Sequence, residues 1–105
     1  MLLNLAGCAS SFRVDWSSEE SKREIVISQR SVVNGERPIL TVLRDSVSGQ
    51  WTFITDENPQ IDVPTTVTVG DILKLDETIR EVSDLPPGWI AIRKEKGAPW
   101  VRRKF

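Results

Sequence analysis

The side chains able to do acid–base, nucleophilic or metal chemistry are few in kind. The chain contains no histidine, no tyrosine and a single cysteine, Cys8. Without histidine there is no Ser-His-Asp or Cys-His arrangement and no histidine-based zinc site. Cys8 would need a lowered pKa and a neighbouring base to act as a nucleophile. It carries no catalytic expectation, and one cysteine leaves no internal disulfide. The glycines stand singly, at positions 7, 35, 49, 70, 88 and 97, as turn and cap residues do, so no phosphate-cradling loop is present. Carboxylates remain. Asp56-Glu57-Asn58 is the densest acidic loop and offers oxygen ligands to a hard cation, but it lacks the ligand series of a calcium loop and reads as a solvated turn. Asp76, Glu77, Glu81 and Asp84 fall on a helical pattern, as its wet face. A glycosidase-like acid pair depends on a three-dimensional separation that spacing does not set. The expectation is therefore no catalytic residue, no metal site and no cofactor. A carboxylate-based hydrolase or small-ligand domain stands behind two binding readings.

Those binding readings come from charge. The net charge is −1, unevenly spread. Residues 89–105 hold Arg93, Lys94, Lys96, Arg102, Arg103 and Lys104 against Glu95 alone, a balance of +5, which leaves −6 on the rest. The basic end serves either as an anion-facing patch or as a solvated edge hairpin whose cations discourage aggregation. Arg93, Lys94, Lys96, Trp100, Arg102 and Arg103 form the candidate basic and aromatic surface, fit for an acidic protein or a stacked nucleobase. The acidic body would repel a phosphate backbone, which places nucleic acid behind a protein partner.

The elements that would position these groups are read from periodicity. One 105-residue chain is the size of a single domain. Residues 1–16 read as a flexible leader and 17–105 as the domain. Leu5-Ala6-Gly7-Cys8 fits a bacterial lipoprotein cleavage site, but only seven residues precede the cysteine and none is basic. Membrane anchoring through Cys8 would need a start upstream; a cytoplasmic location is expected otherwise. No run approaches the roughly 20 apolar residues that cross a bilayer. Ser17–Arg23 is a polar turn capped by serine, and Glu24–Ser28 a β-branched strand. Asn34-Gly35 signals a turn. Strands follow at Pro38–Arg44, Gln50–Thr55 and Thr66–Val69. Ile72, Leu75, Ile79 and Val82 then repeat at helical spacing, with a start at Thr68–Asp71, a further cap at Asp76 and a stop at Pro86-Pro87. The pattern gives one helix or two broken at Asp76. Strands at Gly88–Arg93 and Trp100–Arg102 close the chain. The predicted class is α+β: a mostly antiparallel sheet of five to six strands with one helical segment, about 70–84, packed on one face. Of four tryptophans, Trp51 and Trp89 belong to the core, and Trp16 and Trp100 are the candidates for exposure.

Several segments in order carry a resemblance. They are Pro38–Asp45, Ser48–Phe53, Thr55-Asp56-Glu57-Asn58, Val67–Leu73, Leu75–Ile79 and Leu85-Pro86-Pro87-Gly88-Trp89. Over residues 31–93 this layout resembles a family of small bacterial domains of unknown function, some grouped with immunity proteins of polymorphic toxin systems. The chain departs from it at Gly49-Gln50-Trp51, where a residue intervenes between glycine and tryptophan, and in the basic C-terminal hairpin. The resemblance implies a non-enzymatic protein-binding module that blocks a toxin by covering its active site or an adjacent surface. An acidic body suits a basic, nucleic-acid-cutting toxin by electrostatic steering. Its candidate contacts are Asp56, Glu57, Asp62, Asp76, Glu77, Glu81 and Asp84.

Overall fold

A serine opens the first helical turn, as its short polar side chain allows. In α1 (Glu19–Lys22), the Ser18 hydroxyl accepts from the Ser21 N–H at 3.0 Å, with acids in the first turn and Lys22 in the last. The computed structural model describes residues 14–55 and 63–105. The expected leader up to residue 13, with Leu5-Ala6-Gly7-Cys8, and the loop acids Asp56, Glu57 and Asp62 lie outside the described residues.

β1 (Ile25–Gln29) runs directly into a single turn, α2 (Arg30–Val33), whose C-cap is Asn34. Of the Asn34-Gly35 pair only Gly35 takes positive φ, at +79°. The pair thus ends a helical turn before the chain passes on to β2 (Thr41–Arg44). β2 and β3 (Trp51–Ile54) form a hairpin. The Asp45 carboxylate closes its loop by accepting from the N–H groups of Val47 and Ser48 at 2.9 and 2.7 Å. Those bonds hold the exposed Asp45 carboxyl below the usual carboxylate range.

β4 (Pro64–Thr68) leads into α3 (Val69–Leu75) through a reciprocal cap. The Thr68 hydroxyl accepts from Asp71 N–H, and the Asp71 carboxylate accepts from Thr68 N–H. The expected helical segment is interrupted at Asp76. Its extended backbone (φ −158°, ψ 102°) ends α3, and its side chain caps a 3₁₀ helix, Glu77–Val82. β5 (Trp89–Ile92) and β6 (Val101–Lys104) complete the chain.

The six strands form one sheet in the order β4-β1-β3-β2-β5-β6. It is mostly antiparallel, as expected for an α+β domain. One pairing departs from that rule: β1 and β3 are parallel, Ile27 opposite Thr52. β3 inserts between β1 and β2, and the 30–40 segment carries the chain past it. The helical segment takes the second of its two expected forms, broken at Asp76. The segment is two helices, and α1 and α2 add two short turns elsewhere.

One face of the sheet carries the core. Val26, Val42, Trp51, Phe53 and Ala91 pack with Val32, Val69, Ile72, Ile79 and Val82 of the helices. Trp16, one of the two candidates for exposure, belongs to this core. It is 2 % exposed, and its ring meets Trp51 edge-on at 5.1 Å and 70°, with Phe53 6.2 Å away. Aromatic edges carry positive charge and faces negative, so this geometry adds to the area buried. Two bonds hold the segment down. Val14 N–H donates to Ser83 O at 2.9 Å, and Arg80 Nη1 donates to Trp16 O at 3.3 Å. The polar residues around Trp16 in the sequence hide this long-range docking. Trp51 is buried as expected, while Trp89 is half-buried against the core. Among the described residues no helix is long and apolar enough to cross a membrane.

Candidate partner-binding edge at the C-terminal hairpin

The C-terminal hairpin turns on Glu95–Ala98, where Ala98 N–H donates to Glu95 O at 3.1 Å and Gly97 holds φ at +88°. Pro99 follows, and β6 returns antiparallel to β5 with Ile92 opposite Val101 and Ile90 opposite Arg103. β6 is the last strand of the sheet, and all four of its residues are exposed.

Its six expected contact residues divide sharply. Arg93 is not a surface residue: it is 3 % exposed. Its guanidinium donates to Ile39 O (3.0 Å), to Thr78 Oγ1 (3.0 Å) and to the Asp76 carboxylate, and it lies 4.3 Å from the centre of the Trp100 ring. A buried charge requires such complete partnering, which is why Arg93 and Asp76 meet inside. Trp100 is half-buried beneath that stack, so Arg93 already occupies one face of its ring. Arg102 lies on the helix side of β6, where it donates to the Asp84 carboxylate and to Glu81 O (2.7 Å). Lys94, Lys96 and Arg103 are exposed, as is Lys104, which the sequence reading left out of the site. These four form no ion pair among the described residues.

The acidic candidates among the described residues, Asp76, Glu77, Glu81 and Asp84, do not form one free acidic surface. Asp76 is buried, 5 % exposed, which removes it from any contact face. Burial pushes its carboxyl up, but hydrogen bonds from Thr78 and Arg93, together with the Arg93 charge, outweigh this and hold it below the usual range. Glu77 is exposed and pairs with Arg80 at 2.9 Å; Asp84 pairs with Arg102. Glu81 is exposed on the 3₁₀ helix. Among the described residues no group of three or more His, Cys, Asp or Glu side chains is placed to hold a metal ion.

Apolar residues complete the edge. Val101 and Phe105 are 69 % and 61 % exposed. Ile92, Ala98, Pro99 and Val101 floor a shallow groove of about 660 Å³, with Lys94 and Arg103 on its rim. None of these apolar residues was singled out from the sequence. The alternation Val101-Arg102-Arg103-Lys104-Phe105 is the signal that marks them, since period two puts Val101, Arg103 and Phe105 on one face. A second cleft, of about 490 Å³, lies between α1, α3 and the 3₁₀ helix, and its lining mixes Glu19, Asp71 and Glu77 with Lys22, Lys74 and Arg80. Opposite charges alternate there, so it presents no single ligand chemistry.

No protein-family model, no curated protein and no solved structure matches the chain.

Proposed function

We propose that this chain is a non-enzymatic protein-binding module whose binding surface is the basic hairpin edge and whose partner presents acidic groups to it. One observation carries the reading. Four exposed cations without ion pairs among the described residues, Lys94, Lys96, Arg103 and Lys104, lie along this edge. Lys94 and Arg103 line the groove with Ile92, Ala98, Pro99 and exposed Val101, Lys96 sits in the turn, and Lys104 projects from the other face of β6, next to exposed Phe105 in the chain. Isolated surface lysines are ordinary, but apolar area rimmed by charge of one sign is the composition of a binding patch. Among the described residues the acidic candidates do not offer an equivalent, because Asp76 is buried, Glu77 and Asp84 are paired, and exposed Glu81 is left without them. An immunity-like inhibitor, as the family resemblance implies, would on this reading grip an acidic patch of its toxin. Nucleic acid is the lesser reading, since the Trp100 ring is already stacked on Arg93 and the rest of the chain carries −6.

The test is affinity capture with the tagged full chain and with a variant carrying Lys94→Glu, Lys96→Glu, Arg103→Glu and Lys104→Glu. The expected result is one stoichiometric protein held by the wild type at low salt, shed at high salt and absent from the variant. Equal capture by both baits sinks the hairpin as the surface. Captured material that disappears on nuclease treatment turns the reading to nucleic acid.

A further inference from the structure

We infer that the outer edge of β6 takes an extended, acidic segment of a protein partner as an added strand, with apolar side chains of that segment set against Val101, Phe105 and the neighbouring groove. This rests on the binding reading above and specifies how the partner is held.

The hydrogen-bond phase of the hairpin makes the edge available. Phe105 N–H donates to Gly88 O at 3.0 Å. Bonded and non-bonded pairs alternate along an antiparallel ladder. With Ile90 opposite Arg103 and Ile92 opposite Val101, those residues therefore spend their backbone groups on β5. Arg93 N–H to Leu40 O, at 3.0 Å, keeps the same phase on the other side, where Ala91 faces β2. Arg102 and Lys104 consequently turn their N–H and C=O groups outward, and no described strand lies beyond them.

Side-chain alternation then specifies the segment. Val101, Arg103 and Phe105 project on one face. Arg102 and Lys104 project on the other, where Arg102 is already bound to Asp84. Directly opposed residues on neighbouring strands interact in pairs. In the order of positions 101 to 105, the facing residues are apolar, unrestricted, acidic, acidic and apolar. The acids meet Arg103 and Lys104, and the groove under Ile92, Ala98 and Pro99 extends the apolar contact at Val101.

The same charges choose among occupants. A second copy pairing through its own β6 would bring Arg103 and Lys104 against their counterparts, which like-charge repulsion opposes. An acidic strand is admitted for the reason that a basic one is refused.

Two fluorescent peptides with this pattern, one for each strand direction, test the inference on the full chain. Wild type is compared with Lys104→Ala and Lys104→Pro by anisotropy. Proline deletes an outward N–H that the sheet does not use, and an edge strand tolerates it. Removing the charge alone weakens binding by roughly threefold. Proline weakens it by about a further fivefold or more through the lost strand hydrogen bond. Amide exchange on the wild type needs no variant. On adding peptide, the Arg102 and Lys104 amides slow, whereas those of Val101 and Arg103 are already slow in its absence. Equal binding by the proline and alanine variants, or peptide bound with unchanged Arg102 and Lys104 exchange, overturns strand addition while leaving the charged surface intact. Acidic peptides bound no tighter than neutral ones of the same pattern overturn the acidic-partner reading as well. A DNA oligonucleotide that displaces the peptide at equal concentration overturns the choice of a protein segment.

Discussion

Arg93 shows what a single buried charge demands of its neighbours. Its side chain is fully enclosed and that of Asp76 nearly so, at 0 % and 5 % exposure. Moving both ions out of water is costly, and the cost is met only while every donor is satisfied. Asp76→Ala leaves the guanidinium without its counter-charge, and about 3–5 kcal/mol of stability is lost by urea unfolding. The same carboxylate sets an acid limb. Its folded pKa lies below its unfolded one, so the unfolded chain binds more protons in the interval between them. The stability it confers is present above the unfolded carboxyl pKa of about 4 and is lost as pH falls through the lower folded value. Urea midpoints measured from pH 6 down to pH 2 should fall less steeply below about pH 4 in Asp76→Asn than in wild type. Asp15 and Asp45, also held low by local hydrogen bonds, preserve part of the slope in that variant. At this scale the sequence reveals half of the pair. Asp76 is legible as a cap because its partner Thr78 is two residues away. Arg93, 17 residues distant, reads as one more cation of the basic end because nothing local announces its burial.

Elements were legible where their causes are local. The start of α3 follows from Thr68 and Asp71, three residues apart, and each bonds the other's backbone. Thr68→Ala should cost about 1 kcal/mol. A differential scan should show that loss as a fall of roughly 4–8 °C in Tm for a domain of this size. Gly88 is a second local determinant. It sits at φ +86° where β5 begins, and a Cβ there would meet Ser46 Cβ at 3.2 Å. Gly88→Ala forces a left-handed backbone on a residue with a side chain and crowds the β2–β3 loop. A loss of about 1–2 kcal/mol is expected from the backbone alone, read from the same scan. The parallel pairing of β1 with β3 lay beyond reach, because it is set by which distant strand covers Val26 and Ser28. The docking of Trp16 was hidden for a related reason: Asp15, Ser17 and Ser18 surround it, and its partners Trp51 and Phe53 come more than thirty residues later.

Across the whole molecule, charge and topology coincide. The +5 segment is also the sheet's terminal hairpin, so its cations line an edge, away from the opposite edge at β4. Sequence arithmetic located the charge. It could not separate Arg93 and Arg102, which tie the hairpin to the body, from Lys94, Lys96, Arg103 and Lys104, which face outward. That division makes the surface testable without unfolding the protein. Reversing the four outward cations to glutamate changes the net charge from −1 to −9 and touches no buried contact. Exposed substitutions of this kind each shift stability within about 0.5 kcal/mol, so the variant should keep a cooperative unfolding transition. Association with an acidic partner depends on steering by the local field, and reversal turns attraction into repulsion. Stopped-flow association should slow by about tenfold or more at low salt. The gap should close as added salt shortens the screening length. Reversing Arg23 and Lys74 instead, on the exposed surface near α1 and α3, lowers the net charge by four but leaves the hairpin unaltered. If that control slows association in proportion to its charge, the partner senses the total charge of the molecule. If only the hairpin variant slows, the edge at β6 is where the partner arrives.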